Sequence, residues 1–315
     1  MQTQRAVVVD PEATGRLAIH ELQAPTPADS EALIRVYAIS LNLGETRRAL
    51  TMAEAGARPG WDLAGIVERA AADGSGPQVG TRVVGFVPSG GWAELVTVPT
   101  HSLAELPPSV SFAQAATLPV AGLTALYSLE KGGPLLGQSV LVTGASGGVG
   151  HFACQLAREA GAHVIASVRR QERVAQAQAA KAHEVVVGAD LAEAKQLGPY
   201  DLIMESVGGQ SLSTALSLLA QDGVCVLYGV SESPQVSFEA RQFMVIGGAS
   251  LYGFILFHEV KRRPASHGLS QLLHLVEDGR LEPPIEVEEP WTRIADVAQR
   301  LYQRQIGGKA VLLVS

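Results

Sequence analysis

Between Ser139 and Arg170 the chain reads SVLVTGASGGVGHFACQLAREAGAHVIASVRR. It opens with an apolar, β-branched run (Val140, Leu141, Val142), short enough for a strand buried on both faces. Gly144, Gly147 and Gly150 follow, spaced G-x-x-G-x-x-G. Apolar residues then recur at Val149, Phe152, Ala153, Leu156, Ala157 and Ala160, the rhythm of a helix lying on a sheet. A second apolar run, His163 to Val168, closes the unit. Strand, glycine turn, helix and strand within about thirty residues form the mononucleotide-binding half of a doubly wound parallel sheet.

The chemistry follows from the backbone. A turn without Cβ atoms lets a pyrophosphate approach the main chain, and N–H groups at the helix N-terminus face its charge. Ser146, Gly147, Gly148 and Val149 are the expected phosphate contacts. The bland use of such a turn is tight packing of a helix on a strand, and the strand-turn-helix-strand context favours the phosphate. Sites for NAD carry an acid at the end of the second strand. Here that place holds Ser167, Val168, Arg169 and Arg170, with Arg173 close behind and no acid before Glu172. Two guanidinium forks beside a hydroxyl suit a ribose 2′-phosphate, so NADPH is expected over NADH. The competing reading of this basic cluster is a solvated helix start.

At 315 residues the chain can hold two domains with sizeable cores. With 47% apolar and 17% charged residues, disorder is excluded. A net charge of −7 argues against a general nucleic-acid or membrane-surface binder. The two cysteines, Cys154 and Cys225, fall inside a helix and a strand pattern and read as small core residues. MQTQRAVVVD lacks signal-peptide or transit-peptide character, and no apolar run is long enough for a membrane span, so a cytoplasmic location is expected.

Up to about residue 115 the chain is β-rich. Short apolar runs (Arg5–Val9, Ala32–Ala38, Gly65–Arg69, Arg82–Phe86, Ala93–Val98) alternate with turn signals, which suits a small barrel. Phe112–Glu130 turns helical, broken at Pro119. Strand and helix then alternate as far as Phe257, the pattern of the parallel sheet. The tail carries a helix pattern (Leu269–Glu277), a strand (Ile285–Glu288), a helix (Ile294–Arg304) and a last strand (Ala310–Val314), expected to return to the first domain. Two textures in one chain lead to the expectation of a small-molecule cleft.

Several segments resemble the medium-chain dehydrogenase/reductase superfamily, in its zinc-free, zeta-crystallin-like quinone oxidoreductase branch. They are Ser40–Glu45 (SLNLGE), Gly60–Gly65 (GWDLAG), Val79–Val83 (VGTRV), Gly90–Glu94, Leu118–Tyr127 (LPVAGLTALY), Ala145–Gly150, Glu205–Gly209 (ESVGG), Gly253-Phe254 and Gly308–Val311. Each pattern is loose, but their order and spacing together are specific. The resemblance implies a GroES-like β-barrel domain over 1–115, a Rossmann NADPH-binding domain over 116–260, and a C-terminal return over 261–315. It further implies that Thr124, Val207, Gly229, Val230 and Phe254 touch the cofactor, and that Lys309 meets the cofactor or its phosphates. Lys309 equally suits a solvated position before the last strand.

Zinc-bearing relatives have a Cys near position 42 and a His-Glu pair near 61–62. Those places here hold Leu41, Asn42, Leu43 and Trp61-Asp62, so no metal is expected. Without a Lewis acid, the sensible chemistry is hydride transfer from NADPH to an acceptor that is already electrophilic, a quinone or a conjugated carbonyl. Asn42 matches the family's active-site Asn and could donate to the oxygen where charge develops; its bland reading is a turn residue. Tyr127 is a second candidate donor, or else a packing residue. Asp62 reads as an organiser of the pocket. Trp61 and the Leu43-Gly44 pair depart from the family pattern, and Trp61 would narrow the substrate pocket or stack on a flat acceptor. Two other readings remain open: an enoyl or enone reductase of a biosynthetic pathway, and an NADPH-binding protein with little turnover. Family resemblance also implies a homodimer through the edge strand Ser250–Phe254.

Overall fold

Alternation sets the first strand: in β1 (Thr3–Val9) the exposed Thr3 and Arg5 flank the buried Gln4, and Ala6–Val9 are buried throughout. The computed structural model describes residues 2–315. Two compact units emerge, one from the chain up to Leu123 together with Val260–Ser315, the other from Thr124–Glu259.

In the first unit β1 is followed by β2 (Leu17–Gln23), β3 (Glu31–Leu41), α1 (Leu43–Thr51), β4 (Asp62–Arg69), β5 (Arg82–Phe86), β6 (Leu95–Pro99), β7 (Leu103–Glu105) and α2 (Phe112–Ala116). The second unit opens within α3 (Leu123–Leu129) and continues through β8 (Ser139–Thr143), α4 (Gly148–Glu159), β9 (His163–Val168), α5 (Val174–Ala179), β10 (Glu184–Val187), β11 (Tyr200–Glu205), α6 (Gly209–Ser217), β12 (Leu219–Leu227), α7 (Ala240–Ile246), β13 (Ser250–Gly253) and α8 (Leu256–Glu259). Then α9 (Ala265–Glu277), β14 (Ile285–Pro290), α10 (Ile294–Tyr302) and β15 (Lys309–Leu313) belong to the first unit again.

The main sheet of the first unit runs β14-β15-β3-β4-β5-β7, with β6 also on β3. All its pairs are antiparallel except β14 with β15. Its register matters for function. Ala310 sits opposite Leu41, and Ser40 opposite Asp62, so the ends of β3, β4 and β15 meet at one place. A core including Ile34, Ile39, Leu63, Trp92 and Trp291 fills this unit.

In the second unit all six strands are parallel, in the order β10-β9-β8-β11-β12-β13. The chain winds outward from β8 through β9 to β10, then returns to β11 on the other side of β8. That reversal is the switch point at whose carboxyl ends open parallel sheets bind ligands. The α/β architecture expected from sequence is present: a mostly antiparallel β unit and a doubly wound parallel sheet. At its edge β13 exposes Ser250, Leu251 and Gly253, and Leu251 is 42% exposed.

Candidate active site

Four side chains converge where β3, β4 and β15 meet. Asn42 caps α1 in an extended conformation. Its Nδ2 donates to Asp62 Oδ2 (2.8 Å) and to Glu45 Oε1 (2.9 Å), and its Oδ1 accepts from Lys309 Nζ (2.6 Å). Glu45 Oε1 accepts the Asn42 backbone N–H as well (2.9 Å). Asp62 Oδ1 accepts the backbone N–H of Val120 (3.0 Å). Lys309 Nζ donates onward to the Leu41 carbonyl (3.1 Å) and lies 3.4 Å from Asp62 Oδ2. Glu45, Asp62 and Lys309 are buried, whereas Asn42 is half-buried.

Burial governs the electrostatics. Desolvation first, then the charge of Asp62, pushes the Glu45 carboxyl well above the ordinary range. Asp62 is raised by desolvation, against the pull of Lys309 and the Asn42 hydrogen bond. Desolvation also lowers Lys309, against the attraction of Asp62 and Glu45. Lys309 is thus not a solvated residue ahead of the last strand. Its ammonium contacts Asn42, Leu41 and Asp62. Asn42 also differs from expectation in one respect, since both its amide hydrogens already go to carboxylates.

The two departures from the family pattern prove to be one packing arrangement. A Cβ on Gly44 would lie 3.2 Å from Trp61 Cη2, so the indole rests on the bare backbone at the start of α1. The main chain beside Trp61 is pinned. Gly60 has φ +113°, and a Cβ there would meet Trp92 N at 2.2 Å. Trp61 O accepts from Val87 N (3.0 Å) and Gly91 N donates to Gly60 O (2.9 Å). Trp61 is half-buried beside the fully buried Asp62.

In the second unit, β8 ends at Thr143 and the turn begins with Gly144 at φ +62°. A Cβ on Gly150 would meet Gly144 O at 2.5 Å, which is why helix and turn can close so tightly. Gly147 is the N-cap of α4 and supplies no side chain. The first-turn N–H groups of Gly148, Val149 and Gly150 have no intrahelical acceptor. Ser146–Val149 are half-buried. A bare helix N-terminus and a Cβ-free turn fit a dinucleotide pyrophosphate. Ser167 is buried at the end of β9, while Arg169 and Arg170 are exposed. Val207 and Gly229 border the ends of β11 and β12, and Val230 is 40% exposed. Thr124, Tyr127 and Phe254 are all buried, Tyr127 on α3 at 2% exposure.

Sequence reading gave no role to three acids. Glu45 lies three residues after Asn42, the spacing of a capping box, and that signal could have found it. Glu205 is buried at the end of β11, where it accepts from the Val207 and Gly208 N–H groups (2.6 and 3.0 Å) and from Ser211 Oγ (3.0 Å). It fixes the loop that Val207 belongs to. Glu232 stands 3.7 Å from Arg169, a pairing across 63 residues that no local pattern announces.

Two family models match: the alcohol dehydrogenase GroES-like domain over residues 28–108 and the zinc-binding dehydrogenase over residues 148–277. The quinone oxidoreductase of Lama guanicoe is 31% identical over 308 residues, covering 93% of this chain and 92% of its own length. The chain belongs to the medium-chain dehydrogenase/reductase superfamily, in its quinone oxidoreductase branch. A spectinabilin polyketide synthase system protein of Streptomyces orinoci is 33% identical over 299 residues, 93% of this chain and 13% of that protein. A mycobacterial structure complexed with NADPH superposes with a TM-score of 0.87 at 25% identity, covering 98% of this chain and 99% of that one. Among the described residues, no group of three or more His, Cys, Asp or Glu side chains is placed to hold a metal ion. No helix among them is long and apolar enough to cross a membrane.

Proposed function

We propose that the chain is an NADPH-dependent reductase that delivers a hydride to a quinone or another conjugated carbonyl, and that it works without zinc. The observation that carries the reading is the buried Asn42–Asp62–Lys309–Glu45 cluster, in which the half-buried Asn42 is the member that can reach a substrate. NADPH, when bound, supplies the hydride. The turn Ser146–Val149 and the α4 N-terminus hold its pyrophosphate, Ser167, Arg169 and Arg170 its 2′-phosphate, and Thr124, Val207, Gly229, Val230 and Phe254 the rest.

Hydride arrival leaves negative charge on the acceptor's carbonyl oxygen, and a hydrogen-bond donor there lowers the barrier. Asn42 can provide one by exchanging its bond to Glu45 Oε1. That bond is the cheaper to give up, because Glu45 is held towards its neutral form and keeps the Asn42 backbone N–H. Asp62 and Lys309 position the amide throughout. Trp61, lying on Gly44, offers a rigid flat surface to a planar acceptor. A proton from solvent completes the product.

The match to a polyketide synthase protein favours an enoyl or enone reductase as the second reading, with the same residues and another acceptor. A cytoplasmic enzyme agrees with two free, buried cysteines, and a homodimer with the exposed β13 edge. The test is NADPH consumption against a panel of quinones, enones and enoyl thioesters, with and without a zinc chelator. For Asn42→Ala, kcat/KM should fall about a hundredfold with NADPH affinity unchanged. Turnover of no acceptor would contradict the reading, and loss of activity with the chelator would contradict its zinc-free form.

A further inference from the structure

Arg169 lies one residue beyond the end of β9, yet its Nη1 stands 3.7 Å from the carboxylate of Glu232, on the loop after β12. The strand order places β8 and β11 between those two strands. The loop explains how the gap is bridged. Ser231 N donates to Ser206 O (3.0 Å) and Glu232 N to Val207 O (2.9 Å), so the backbone at Glu232 lies beside the segment that leaves β11. From β9 to β11 is two inter-strand steps, about 10 Å. A guanidinium from one side and a carboxylate from the other span that distance across the carboxyl end of β8, in front of the Gly144–Gly150 turn. The pair therefore straddles the switch point.

Both side chains are about half exposed, 49% for Arg169 and 42% for Glu232. Such a pair is weak and exchangeable. A phosphate dianion attracts a guanidinium more strongly than a single carboxylate does. A cofactor without a 2′-phosphate offers Arg169 no better partner than the one it has.

We propose that Glu232 is a specificity-determining residue, an internal competitor for Arg169 that the ribose 2′-phosphate of NADPH displaces. NADH leaves the pair intact, whereas NADPH takes Arg169 over and frees Glu232. The carboxylate thus lowers affinity for the phosphorylated cofactor alone and reduces the discrimination that the arginines confer. This inference rests on the NADPH reading above.

The experiment is a binding titration by fluorescence and calorimetry, at one fixed ionic strength, with NADPH, NADH and adenosine 2′,5′-bisphosphate. It compares wild type, Glu232→Gln, Arg169→Ala and the double variant. Glu232→Gln should tighten NADPH and the bisphosphate about two- to fivefold and leave NADH unchanged. In the Arg169→Ala background the same change should do nothing. Equal tightening of NADPH and NADH, an effect that persists without Arg169, or no effect in a wild type that prefers NADPH would each overturn the proposal. A wild type that binds NADH as well as NADPH and ignores the bisphosphate would overturn the cofactor reading itself.

Discussion

Glu45 has a buried Oε2 without a hydrogen-bond partner, next to a second carboxylate. It therefore binds its proton more tightly in the folded chain than in the unfolded one. Stability from this group is full below the ordinary carboxylate value of 4.5 and is lost as pH rises through the raised folded value. Glu45→Gln cannot ionise, so its unfolding midpoint relative to wild type should climb as the pH is raised above the ordinary carboxylate range. Parallel midpoint curves above that range would contradict the buried-proton picture. The site was only partly legible at this scale. Asn42, Trp61 and Asp62 could be read from local motifs, and Asn42 and Asp62 do meet. Lys309 was singled out by its motif, but its place beside Leu41, Asn42 and Asp62 was not, because they lie some 250 residues away and are reached only through the β15–β3–β4 register. A lysine ahead of an apolar strand looks the same in sequence whether buried or solvated.

The βαβ unit was the most legible element, since strand, turn and helix each carry their own periodicity. Its expected one-sided helix is the part that differs: α4 is buried all the way from Gly150 to Ala157, including His151 and Gln155, while Ala160 is exposed. Amphipathic spacing reports a minimum buried face, and a helix can bury more than its apolar stripe. The junction of β8 and α4 is the element most sensitive to a single methyl. Gly150→Ala places a Cβ 2.5 Å from Gly144 O and 2.7 Å from Ala145 Cα, both backbone atoms that cannot rotate away. Affinity for NADPH should drop at least about tenfold, and the unfolding midpoint should fall by several degrees. Unchanged NADPH affinity in this variant would show that the turn does not carry the pyrophosphate.

For the whole molecule, the sequence conveyed the β-rich and alternating textures because hydrophobic period is a local property. Strand order in the first sheet was not readable, since β15 joins β3 through pairings across the length of the chain. Edge strands need covering, and β13 leaves Leu251 and its backbone edge exposed at the rim of the parallel sheet. A symmetric pairing of two such edges would continue the sheet through a dimer. Light scattering at micromolar concentration should give twice the chain mass for wild type and the chain mass for Leu251→Asp. A monomeric wild type would remove the dimer. The NADPH assignment is tested most directly by cofactor affinity in wild type and in Arg169→Ala/Arg170→Ala. The expected result is tight NADPH binding, weak NADH binding, and a preference that collapses in the double variant. Equal affinity for both cofactors in wild type, unmoved by the substitutions, would contradict it.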